Sequence, residues 1–93
     1  MDAIRDPKAT WIDVRNEDEL ENDGKFDRAV HIPLHEIPSR VEDIKNMSKP
    51  IVLFCRSGNR SGQAIEYLEQ AGVEELYNGG GYQDMLEVSS QHQ

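Results

Sequence analysis

The hydrophobic and polar positions alternate between two kinds of pattern along the chain. Thr10-Trp11-Ile12-Asp13-Val14 is a short run of β-prone side chains and predicts a strand. Residues 16–23 are acidic, with Leu20 as their only apolar side chain, and Gly24 follows. That stretch predicts a short solvated helix ended by a glycine cap. Ala29-Val30-His31-Ile32 predicts a second strand, stopped by Pro33. From His35 to Met47, the apolar residues Ile37, Val41, Ile44 and Met47 recur at spacings of four and three, one face of a helix. Pro50 then opens Ile51-Val52-Leu53-Phe54, which shows no alternation, as expected of a strand covered on both faces in the middle of a parallel sheet. Ser61 is placed to cap a helix whose inner face is Ala64, Ile65, Leu68 and Ala71, with Gly72 just past its end. Val73 to Tyr77 predicts a last strand, Gly79-Gly80-Gly81 a turn and Tyr82 to Val88 a final short helix.

Strands alternating with helices imply an α/β fold with three layers, a parallel sheet covered by helices on both sides. In such sheets ligands sit at the carboxyl ends of the strands. The length, 93 residues, predicts one domain spanning 1–93.

Composition removes several function classes. Charged residues make up 30% and mean hydropathy is −0.72, but the apolar runs above argue against a disordered chain. Eighteen acids against ten bases give a net charge of −8, which predicts no nucleic-acid partner, since such a partner requires a phosphate-neutralising basic surface. One cysteine forms no internal disulfide, and with His31, His35 and His92 scattered along the chain it makes no metal-binding pattern. No apolar stretch approaches the ~18 residues of a membrane span, so no membrane partner is expected. The start, Met1-Asp2-Ala3-Ile4-Arg5-Asp6, lacks the basic and apolar regions of a signal peptide. A cytoplasmic monomer is expected for the chain as written, and a periplasmic location if a leader was removed.

Chemistry concentrates after the most apolar strand. Phe54 is followed by Cys55-Arg56-Ser57-Gly58-Asn59-Arg60 and then Ser61, which puts a thiol at the carboxyl edge of the sheet and at the foot of a helix. A loop entering a helix presents unpaired N–H groups and the positive end of the helix dipole. Curled around a point, these form an anion nest that also favours thiolate over thiol. From residue 56 onward the only Lys or Arg residues are Arg56 and Arg60, against six acids, so both cations of that half lie within five positions of Cys55. A buried Cys55 with two solvated arginines is the plainer alternative. The coincidence of strand, thiol, glycine-containing loop, paired arginines and helix start favours a nucleophile. Cysteine phosphatases and arsenate reductases place an Arg six positions after the Cys. Here Arg60 is five after Cys55 and position 61 is Ser, so the loop is one residue shorter and should form a tighter cradle with less room for a phosphoryl group, leaving a small sulfur species open.

Cys55-Arg56-Ser57-Gly58-Asn59-Arg60-Ser61 resembles the active-site loop of rhodanese-type sulfurtransferases. Asp13-Val14-Arg15 with Glu19 resembles the family's Asp-Val-Arg strand end and downstream Glu. Gly24 to Pro33 resembles its Gly-His-Ile-Pro-Gly-Ala-x-Asn-Ile-Pro segment, keeping Gly24, Ala29, Ile32 and Pro33 but carrying Lys25, Asp27, Arg28 and His31 in place of His, Pro, Gly and Asn. Leu68, Gly72, Gly79 and Gly80 match the later helix and glycine turn, so the resemblance covers residues 11–86. Nine residues precede Thr10, a short start most similar to the small bacterial rhodaneses of the phage shock protein E type; it implies four parallel strands, or a vestigial fifth.

The resemblance implies a thiosulfate sulfurtransferase that passes sulfane sulfur to cyanide or a thiol acceptor, including a thioredoxin-like protein, through a Cys55 persulfide, with no cofactor or metal. Arg56, Ser57, Gly58, Asn59 and Arg60 would bind the substrate, Arg60 first holding the sulfonate end and Arg56 serving as a second cation at the rim. Asp13, Arg15 and Ser61 are expected as structural support, and His31 and His35 as ordinary strand and helix-start residues. A cysteine-dependent phosphatase or arsenate reductase, or a non-catalytic rhodanese-like sulfur-carrier module, are the alternatives.

Overall fold

The computed structural model describes residues 2–90, so His92 lies outside the described residues. Four strands, β1 (Thr10–Asp13), β2 (Val30–His31), β3 (Ile51–Cys55) and β4 (Leu76–Gly81), form one sheet in the order β2-β1-β3-β4, every pairing parallel. Five helices accompany them: α1 (Asp2–Arg5), α2 (Glu17–Asp23), α3 (Val41–Lys45), α4 (Asn59–Gln70) and α5 (Tyr82–Ser90). No fifth strand occurs among the described residues.

All five residues of β3 are buried, as their unbroken apolar run requires. Because strand side chains alternate between faces, β3 feeds two cores. Ile51, Leu53 and Cys55 join Ile37, Ile44, Ala64 and Leu68 on one side. Val52 and Phe54 join Ile4, Trp11 and Met85 on the other. The sheet therefore has a helical layer on each face, and Cys55 belongs to the layer shared with α4.

Four local expectations change. The helix predicted over 35–47 is split into a 3₁₀ segment, Leu34–Arg40, and α3, because Pro38 cannot supply an N–H to a continuous ladder; Ile37 and Ile44 still face the core. The last strand runs over Leu76–Gly81, not Val73–Tyr77, so Gly79-Gly80-Gly81 is strand and not turn. Its register slips between the pairs Leu53–Asn78 and Phe54–Gly80, leaving Gly79 as the extra residue of a bulge. A Cβ at Gly79 would lie 2.6 Å from Met85 Sδ and 3.0 Å from Val52 Cγ1, so a side chain there would force the buried Met85 to shift. Ser61 is not the cap of α4: Gly58 occupies that position and Ser61 is buried in the first turn. The second strand is shorter than predicted, Val30–His31 alone.

Candidate active site

Cys55 ends β3, and the chain must reverse to enter α4 within a few residues. Gly58 makes the reversal with φ of +96°, a conformation costly for any side chain-bearing residue. The turn aims the Gly58 N–H at the sulfur, which accepts it at 3.0 Å. The Ser61 hydroxyl lies 3.6 Å from the same sulfur. Burial pushes the Cys55 thiol up, but the N–H and hydroxyl of Ser61 and the N–H groups of Ser57 and Gly58 outweigh it, leaving the thiol below its ordinary value. This is the chemistry expected of a nest at a helix start: oriented backbone dipoles stabilise an anion without a neighbouring base.

Asn78 fastens this loop from β4, and nothing in the residue spacing signalled it. Its amide nitrogen donates to the Gly58 carbonyl at 3.0 Å, while its oxygen accepts the Gly80 N–H at 2.9 Å and lies 2.7 Å from the Ser61 hydroxyl. The Ser61 hydroxyl also reaches the Gly58 carbonyl at 3.1 Å. Ser61 thus has a supporting place beside the sulfur, though by these bonds and not as a cap.

The two arginines of the loop differ. Arg60 is engaged through both terminal nitrogens by the Glu19 carboxylate of α2, at 2.5 and 2.7 Å. The pair holds the Glu19 carboxyl down at about 2, chiefly through the Arg60 hydrogen bonds. Arg60, the residue expected to hold the substrate's sulfonate first, thus has both terminal nitrogens on a carboxylate of the protein. Arg56 is exposed and borders a cleft of about 250 Å³ lined also by Arg15, Asp23, Tyr82 and Gln83. Ser57 and Asn59 are exposed on the same loop. A larger cleft, about 350 Å³, includes Asp13, Glu17, Glu21, Asp27 and Phe26 in its lining and takes no residue from the loop.

Asp13 and Arg15 form a second bidentate pair, buried at the exit of β1. Arg15 Nε donates to both carboxylate oxygens at 3.0 and 3.1 Å and Nη2 donates at 2.7 Å. Nη2 also donates to the Gly24 carbonyl at 2.9 Å, and the guanidinium lies 4.4 Å above the Tyr82 ring. Burial pushes the Arg15 guanidinium down, but its bonds to Asp13 outweigh this and hold its pKa above the usual value. His31 Nε2 meets the Arg15 carbonyl at 2.6 Å, and His35 is exposed beside Glu36. Among the described residues no group of three or more His, Cys, Asp or Glu side chains gathers to hold a metal, and no helix is long and apolar enough to cross a membrane.

This geometry agrees with comparisons across known proteins. Residues 1–87 match the rhodanese-like domain family. The thiosulfate sulfurtransferase PspE of Escherichia coli is 32% identical over 76 residues, covering 81% of this chain and 72% of that protein. YqhL of Bacillus subtilis is 39% identical over 71 residues, 76% of this chain, although the chain spans only 55% of YqhL. Among solved structures, a rhodanese with anions from E. coli superposes with a TM-score of 0.67 at 33% identity, covering 82% of this chain and 89% of that one. With its four-stranded parallel sheet and its thiol at the foot of α4, the chain belongs to the rhodanese-like domain family.

Proposed function

We propose that this chain is a thiosulfate sulfurtransferase. The Cys55 thiolate attacks the outer sulfur of thiosulfate, a new S–S bond forms to Cys55, and the sulfur–sulfur bond of thiosulfate breaks with its electron pair leaving on sulfite. An acceptor nucleophile, cyanide in an assay or a thiol or thioredoxin-like protein, then attacks the outer sulfur of the persulfide and returns Cys55 as thiolate. The two steps balance without an external oxidant or reductant.

The observation that carries this reading is the Gly58 N–H held 3.0 Å from the Cys55 sulfur, with Ser61 and Ser57 lowering the thiol further. Donors already oriented toward sulfur serve the thiolate at the start of the cycle and the anionic persulfide at its middle, with no reorganisation between them. Kinship with a protein named thiosulfate sulfurtransferase supports the choice of donor. The loop weighs against phosphoryl transfer, because the position six after Cys55, where cysteine phosphatases place their arginine, is Ser61. Steady-state transfer from thiosulfate to cyanide is the test. Turnover by the wild-type chain and none by Cys55→Ser is expected; no turnover by the wild type, or persistent turnover by Cys55→Ser, overturns the proposal.

A further inference from the structure

Glu19 is fixed before it meets Arg60. It stands three residues after Asn16 at the start of α2, and its Oε1 accepts the Asn16 N–H at 3.0 Å, the reciprocal bond of a capping box. The same oxygen then accepts Arg60 Nη1 at 2.5 Å while Oε2 accepts Nη2 at 2.7 Å. A carboxylate whose position is set by its own helix imposes that position on the guanidinium, 41 residues further along the chain. The pair is largely shielded, with side-chain exposures of 29% for Arg60 and 16% for Glu19.

Arg56 presents the opposite case. It is exposed, and its guanidinium has no hydrogen-bond or ion-pair partner among the described residues. The other charges at this edge are already committed or lie on the rim: Asp13 is bonded to Arg15, Asp84 accepts the Gly81 N–H at 2.9 Å, and Asp23 lines the cleft beside Arg56.

We propose that Glu19 is a positioning residue that withdraws Arg60 from the anion site, so that an incoming anionic substrate is met by Arg56 and the loop N–H groups. Naming that anion as thiosulfate rests on the sulfurtransferase reading, whereas the division of labour between the arginines does not. Glu19 thereby sets how much positive charge the site shows to a small anion, although it touches neither substrate nor sulfur.

The chain has a single cysteine, so alkylation reports on Cys55 alone. The ratio of its rates with iodoacetate and iodoacetamide compares an anionic with a neutral reagent of nearly equal size, and cancels changes in the reactivity of the sulfur itself. Glu19→Gln, which leaves Arg60 uncompensated, raises this ratio by about fivefold, the order expected of one charge at short range in a partly shielded site. Arg56→Gln lowers it by a similar factor. Glu19→Gln combined with Arg60→Gln removes a neutral pair and stays at the wild-type ratio. Sodium sulfate titrated against the loop amide resonances gives the same order of affinities without requiring a reagent to reach the sulfur. An unchanged ratio in Glu19→Gln, or a fall in the double variant as large as in Arg56→Gln, overturns the proposal. Should Glu19→Gln fail to fold, the double variant and Arg56→Gln decide it between them. Neither readout involves sulfur transfer, so failure of the thiosulfate reaction would leave these results standing, and the reverse.

Discussion

Two bidentate arginine–carboxylate pairs stand at the same edge of the sheet, and their surroundings give them different work. In Asp13–Arg15 the partners are two residues apart and almost wholly buried, with side-chain exposures of 1% for Arg15 and 2% for Asp13. Arg15 spends its remaining capacity on the Gly24 carbonyl and the Tyr82 ring, so one side chain joins the exit of β1 to the end of α2 and the start of α5. In Glu19–Arg60 the partners come from distant segments, retain some solvent and end on the nucleophile loop. The first pair holds the frame of the site. The second controls what the site shows to an anion. Identical functional groups thus divide between stability and substrate charge according to burial and to the segments they join.

The most damaging way to break this division is Arg15→Ala. It leaves Asp13 charged and buried without its partner, and is expected to cost about 3–5 kcal/mol. For a chain of this size that is a large share of total stability, and urea denaturation would show it as a midpoint collapse. Glu19→Ala breaks the less deeply buried pair instead, at a smaller cost of about 1–3 kcal/mol, because the freed Arg60 can turn to water. Equal losses from the two substitutions would contradict the distinction. The smallest effect is a titration. The folded Glu19 carboxyl lies at about 2 against an ordinary 4.5, so the stability it contributes is present above pH 4.5 and is lost as pH falls toward 2. Unfolding measured across that interval should show a shallower acid loss in Glu19→Gln than in the wild type.

These two pairs also mark what was legible in the sequence. Asp13 and Arg15 were readable as support because they are local, flanking Val14 at the end of a β-prone run. The loop from Cys55 to Arg60 was readable because a fully apolar strand running into a glycine-containing turn and a helix leaves the thiol little choice of position. The Glu19–Arg60 contact was not readable, since spacing along the chain says nothing of which side chains the sheet edge brings together across 41 residues. Without that contact in view, Arg60 is expected ahead of Arg56 as the substrate's cation. Asn78 was invisible for the same reason: its value depends on the bulge that sets Gly58, Ser61 and Gly80 around one amide. Periodicity did place the faces of the split segment around Pro38 correctly, with Ile37 and Ile44 inward, although the helix itself was interrupted.

The thiolate held by Gly58 and Ser61 is meant to become a persulfide. Intact-mass measurement after incubation with thiosulfate and removal of excess reagent examines that step alone. The wild-type chain should gain the mass of one sulfur atom, removable by a thiol, and Cys55→Ser should gain nothing. No gain by the wild type, or the same gain by Cys55→Ser, would contradict a Cys55 persulfide mechanism.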